Sequence, residues 1–335
     1  MFLLSQQLDR LAGVDLPPPL TPARLLTSWT FDPAVCVALV LVGGGYLIAV
    51  RRLAGRGDPW PAYRTAAFLI LGLGSVALAT MSGLAVYGRV LFWPAAVQNT
   101  LLGVLTPVFL ALGDPVGLVL KASPRLGKLL RGRAMRFLTY PFVSSLLAIG
   151  SQLLVYFTGY FPATLDHPAV RELMHLQFVL TGVLFTIPLL GEDFLPAWCT
   201  YPVRTAIAFL DGLLDALPGL VVMTSSHLIA ADYYRGLSLK WGPSLRWDQT
   251  IGGAGILVLS ELIAVIFLAV MFRAWIRADA LEAAEVDQEL DRIEGGLAAA
   301  PGNPEQVEAE LMRPWWESDP GPLAERARLH GWRRT

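Results

Sequence analysis

Apolar residues run along this chain in long blocks separated by short charged or proline-rich breaks, and the blocks are too long to be the strands or helices of a soluble core. A bilayer interior about 30 Å thick needs about 20 mostly apolar residues per crossing helix. Seven blocks meet that length: Phe31 to Val50, Thr65 to Tyr87, Pro94 to Leu112, Pro141 to Phe161, Val170 to Leu190, Val203 to Ser225 and Ile251 to Trp275. The predicted fold class is all-α, a polytopic membrane bundle of seven transmembrane helices. "LGDP" closes the third block and "GEDFLP" the fifth with turn residues. No internal repeat and no low-complexity tract interrupts the pattern.

Lysine and arginine in the short loops set the direction, because such residues are retained on the cytoplasmic side. Arg51, Arg52, Arg56 and Arg64 follow span one, and Lys121, Arg125, Lys128, Arg131, Arg133 and Arg136 follow span three. Arg273 and Arg277 follow span seven, whereas the loops after spans two and four offer only Arg89 and Arg171. Arg235, Lys240 and Arg246 after span six point the other way but are outnumbered. The N-terminus is therefore expected outside and the C-terminus in the cytoplasm.

Three regions follow: an extracytoplasmic segment over 1–30, a seven-helix transmembrane domain over 31–277, and a cytoplasmic helix with a flexible tail over 278–335. "ADALEAAEVDQELDRIEGG" has helical composition without a membrane-length apolar run, so span seven is expected to continue as a solvated helix. "LAAAPGNPEQ" reads as a linker. The closing "RPWWESDPGPLAERARLHGWRRT" pairs tryptophans with arginines, a pattern that suits a membrane interface or an unattached tail. The first residues lack the basic flank and cleavage site of a signal peptide, so the N-terminus is expected to be retained.

Composition agrees with the pattern. The 335 residues are 54% hydrophobic and 16% charged, against about 25% charged in soluble domains, and the mean hydropathy is +0.52. A net charge of -1 gives no pull toward nucleic acid. Two cysteines, Cys36 and Cys199, are too few for a disulfide framework. No nucleophile elbow, phosphate-binding loop, HExxH or dinucleotide fingerprint is present, so no enzyme activity is expected.

Ionisable and amide side chains inside spans are costly, and each marks either a helix contact or a site. His175 lies in span five with Glu172 three residues before it on the same face. Asp211 and Asp215 share a face of span six, and two such carboxylates repel unless protonated or bridged by a cation. Gln98 and Asn99 sit in span three, Glu261 in the middle of span seven, and Asp248 and Gln249 at its outward entrance. These residues make a candidate polar cluster in the outer half of the bundle, with His175, Glu172, Asp215 and Asp211 as candidate metal ligands. Imidazole with carboxylate binds several divalent metals, while thiolate or thioether suits copper(I). Met81, Met174 and Cys36 have depths compatible with joining such a site, although residues of these types in a span far more often serve packing. A His and Glu pair can also lock two helices together. His227 and His330 read as surface residues.

Three stretches carry a resemblance: "VQNTLLGVLTPVFLALGDPVGLVLKA" from Val97, "HPAVRELMHLQFVLTGVLFTIPLLGED" from His167, and "WDQTIGGAGILVLSELIAVIFLAVMFRAWIR" from Trp247. Together they resemble the multi-span CtaG family of bacterial cytochrome c oxidase assembly proteins, and "RPWWESDP" is similar to the tails of actinobacterial members. The resemblance implies a membrane assembly factor for a haem-copper terminal oxidase in the bacterial cell membrane. It implies terminal oxidase subunits and lipid as partners, and copper, delivered or held near the outer face, as the cofactor.

The third-span motif of that family runs His-Met-x-Gln-His-Met, where this chain has Ala95, Ala96, Val97, Gln98, Asn99 and Thr100. Gln98 matches and both histidines are replaced. Asp215 stands where the sixth span of the family carries a histidine ahead of an Ala-x-x-Gly, while His175 matches a family histidine. Two other readings stay open: a metal-ion or small-solute transporter using Asp211, Asp215 and Glu261, and a structural docking paralogue without metal. The paired broken helices common in transporters are not seen in the sequence.

Overall fold

The structure, a computed structural model, describes residues 16–130, 132–190, 199–299 and Glu317. Six helices are long and apolar enough to cross a membrane, and a bent pair makes a seventh crossing if counted as one. They are α1 (Pro33–Ala54), α2 (Ala62–Tyr87), α3 (Phe92–Leu112), α4 (Pro141–Phe157), α5 (Pro168–Leu190), α6 (Tyr201–Thr224) and α7 (Leu245–Ala299). No strand occurs among the described residues. Lipid cannot hydrogen-bond a bare backbone, so a helix, which satisfies its own amides, is what these blocks must form.

The apolar residues are distributed for lipid rather than water. Val37, Val40 and Leu41 of α1, Leu173 and Leu180 of α5, and Val258 and Val265 of α7 all point outward. Inside, three clusters fill the space between helices, the largest built around Tyr87, Leu102, Tyr156, Phe161 and Phe178.

The fourth span departs from expectation. A single helix to Phe161 is predicted, but α4 ends at Phe157 and a short helix, Tyr160–Asp166, continues at an angle of 65°. Thr158 is extended, and its hydroxyl accepts a hydrogen bond from the Tyr160 amide at 3.2 Å, starting the second piece. Two wide turns, Ala67–Leu73 in α2 and Leu101–Leu105 in α3, carry π-helical hydrogen bonding, which lets each helix re-aim its faces part-way.

The helix caps are legible. Asp32 accepts from the amides of Ala34 at 2.9 Å and Val35 at 3.3 Å, with Pro33 opening α1. At the opposite end of the bundle the "LGDP" turn forms as predicted. Asp114 adopts a left-handed conformation (φ 44), accepts from the Gly117 amide and pairs with Arg64 at 2.6 Å. Tyr46 of α1 donates to the Gly113 carbonyl at 2.7 Å and accepts from the Trp60 indole at 3.0 Å, so this knot joins α1, α2 and the end of α3.

Small residues allow close crossings, the usual device where both helix and lipid are apolar. A methyl group at Gly182 of α5 would stand 2.1 Å from the Gly103 carbonyl of α3. Gly219 of α6 and Gly253 of α7 face each other in the same way.

Residues through Ala274 form one compact unit and those from Trp275 another. The helix α7 runs to Ala299, as the composition of its second half predicts, and Leu281 to Arg292 are exposed. The "GEDFLP" turn, His330 and the tryptophan-rich tail other than Glu317 lie outside the described residues.

Candidate functional site

Where α7 begins, two buried polar residues are used by the backbone of neighbouring elements. Asp248, 1% exposed, accepts hydrogen bonds from the amides of Phe92 at 2.7 Å and Trp93 at 3.0 Å. These are first-turn amides of α3, which has no capping side chain of its own, so α7 supplies its cap. Gln249 accepts from the Ile229 amide at 2.8 Å and donates to the carbonyls of Val222 at 3.1 Å and His227 at 2.9 Å. It thereby fixes the segment that follows α6. Tyr234, packed nearby, is pushed well above the usual phenol range by burial and by the Asp248 charge, so its hydroxyl stays un-ionised.

One to two turns into α3 lie Gln98 and Asn99. Burial is almost complete for both, and each finds a partner on a different helix. The Gln98 side-chain nitrogen lies 3.2 Å from Nε2 of His175 on α5, and the Asn99 amide donates to the Tyr156 hydroxyl on α4 at 3.2 Å. Adjacent residues on a helix face about 100° apart, which is why one amide meets α5 and the other α4. His175 Nδ1 stands 3.4 Å from a Glu172 oxygen, as the three-residue spacing predicts, but outside hydrogen-bonding geometry. The other Glu172 oxygen is 3.5 Å from Arg171.

Gln98, Asn99, Glu172 and His175 line a cavity of about 30 Å³, joined by Asp32, Arg89, Arg171 and Met174. A void of that size holds a water or a single small ion.

Asp211 and Asp215 line a different cavity, of about 40 Å³, between α3, α4, α5, α6 and α7. Ser145 of α4 donates to Asp211, and Glu261 of α7 lies near enough to Asp215 for their charges to interact. The candidate ligands thus divide between two sites, His175 with Glu172 in one and Asp211 with Asp215 in the other. Among the described residues no three of His, Cys, Asp and Glu are placed to hold one metal ion. Met174 lines the first cavity, but Met81 and Cys36 line neither, and His167 and His227 are exposed.

Several side chains at these sites carry no role in the sequence pattern: Tyr156, Gln152, Ser145 and Asp32. Gln152 carried a usable signal, an amide in the apolar run "SQLLVYF" of the same kind as Gln98. Tyr156 carried none, since an aromatic residue in a span is ordinarily packing.

The molecule is a multi-pass helical membrane protein with two separate polar cavities inside its bundle. The family described as cytochrome c oxidase caa3 assembly factor (Caa3_CtaG) matches residues 44–278, and the chain belongs to it. It is similar to the uncharacterized protein Mb0105 of Mycobacterium bovis, 32% identical over 295 residues, which are 84% of this chain and 44% of that protein. The uncharacterized protein ML1998 of Mycobacterium leprae is 30% identical over 295 residues, 84% of this chain and 45% of its own length. The chain therefore spans less than half the length of these curated relatives. No solved structure matches it significantly.

Proposed function

We propose that the protein serves in a bacterial cell membrane as an assembly factor for a haem-copper terminal oxidase, acting by contact with oxidase subunits rather than by catalysis. The observation that carries this reading is the family match, which covers nearly all of the membrane bundle. The loop charges support an orientation in which the His175 cavity lies toward the outer face and the Asp114 knot toward the cytoplasm.

Copper is the metal the family implies, and the His175 cavity does not fit it. Copper(I) prefers imidazole, thiolate and thioether donors. Here one imidazole and one methionine, Met174, face a cavity whose other polar lining is amides, carboxylates, arginines and threonines. The imidazole is already engaged by Gln98 through Nε2. The Gln98, His175 and Glu172 arrangement acts instead as a polar contact between α3 and α5, with Arg171 balancing Glu172.

Deleting the gene in a strain without a second copy is expected to lower the oxidase haem absorption and its bound copper. A complementing His175→Ala chain is expected to restore copper-loaded oxidase whenever the protein itself accumulates. Unchanged oxidase in the deletion strain would remove the assembly reading. Oxidase restored in haem but lacking copper in the His175→Ala strain would return copper to this pocket.

A further inference from the structure

The second cavity lies apart from His175, and its lining is unlike a packing defect. Gln152 of α4 is 7% exposed and lines the cavity, and its side-chain amide has no hydrogen-bond partner among the described residues. Thr186 of α5 is likewise buried, lining and unpartnered. Asp211 is 5% exposed, and of its two carboxylate oxygens only Oδ1 receives the Ser145 hydroxyl. Asp215, one turn on along α6 and half-buried, also lines the cavity, and its carboxylate has no hydrogen-bond partner among the described residues. Phe178, Phe185 and Phe267 close the rest of the space.

An unpaired amide and two carboxylates in apolar surroundings are expensive unless something answers them. Residues four apart on a helix stand about 5–6 Å between Cβ atoms, so both carboxylates can reach one point. The ligand atoms there are oxygens: two carboxylates, the Gln152 carbonyl and the Thr186 hydroxyl, with the Thr181 hydroxyl already donating to helix carbonyls. That set has no sulfur and no imidazole, and it selects hard cations over copper or zinc. One divalent ion balances the two lining carboxylates, Glu261 beside Asp215 adds to the pull on a cation, and a volume of about 40 Å³ accommodates an ion that keeps a water.

We propose that the cavity bounded by Asp211, Asp215, Gln152 and Thr186 binds one oxygen-preferring divalent cation, of the Mg²⁺, Ca²⁺ or Mn²⁺ class, inside the bundle. The ion ties α4, α5 and α6 together at the level where Ser145 meets Asp211. This site is independent of the oxidase reading, since it rests on the donors alone.

The probe is Mn²⁺, added to the full chain purified in detergent micelles and stripped with chelator. Loss of the free Mn²⁺ paramagnetic signal is expected to saturate near about one ion per chain, with Mg²⁺ or Ca²⁺ in excess releasing it. Asp211→Asn together with Asp215→Asn is expected to weaken binding at least about tenfold, the scale on which even outer-shell partners matter. Gln152→Ala is expected to weaken it and Gln152→Glu to tighten it, and this pair decides the matter if the double variant does not fold. A wild-type chain that takes up no Mn²⁺ overturns the proposal. So does binding that the Asp and Gln152 variants leave unchanged, or an infrared carboxylic-acid band, lost in Asp211→Asn and indifferent to Mn²⁺, which would make the occupant a proton.

Discussion

A single carboxylate, Asp248, does the work of a cap for a helix begun more than 150 positions earlier in the chain. Its replacement leaves the buried Phe92 amide and the half-buried Trp93 amide without an acceptor, and an orphaned buried group costs about 1–3 kcal/mol. Asp248→Ala is thus expected to lower the thermal unfolding midpoint in detergent well below that of Asp248→Asn, which keeps one acceptor oxygen. Equal midpoints for the two would mean that the cap contributes no stability. Asn99 and Tyr156 offer a cleaner pairwise measurement. Asn99→Ala and Tyr156→Phe in a double-mutant cycle are expected to couple by about 0.5–1.5 kcal/mol, the ordinary value of a buried neutral hydrogen bond.

Elements pack closely only where a side chain is missing. Gly182→Ala would drive a methyl into the Gly103 carbonyl and Pro107, both on α3. Overpacking of this kind typically costs about 1–3 kcal/mol, and the loss is expected to appear as a lower unfolding midpoint with helical content unchanged. Gly44→Ala, where a methyl meets nothing within 4 Å, is the control expected to leave the midpoint in place. The helices themselves were readable, because a crossing requires a run of apolar residues that no soluble element needs. The break in the fourth span was less so, although "TGYFP" holds both a glycine and a proline, since residues of this kind also occur within unbroken spans. Partners on one helix, such as Glu172 with His175, follow from spacing. Those on different helices do not: whether Asp211 meets His175 or Gln152 depends on how far α6 is rotated and shifted against α5. The setting of α6 depends in turn on contacts with a third helix, such as Gly219 against Gly253 of α7, which no local pattern announces. One shared outer cluster was expected for this reason, and two cavities are found.

At the scale of the whole molecule the basic loops order the two ends. A cysteine-free chain carrying Ser226→Cys alone is expected to react with a membrane-impermeant maleimide on intact cells. With Arg125→Cys alone it is expected to react only after permeabilisation. The reverse result would invert the bundle and put the His175 cavity on the cytoplasmic side.

Both extremities of α3 are fastened, at its start by Asp248 and at its finish through Gly113 to Tyr46. A rod pinned at two points behaves as a post. Movement that opens the space beside α3 is then expected to fall to its neighbours, with Gly103 and Gly182 as the bearing between α3 and α5.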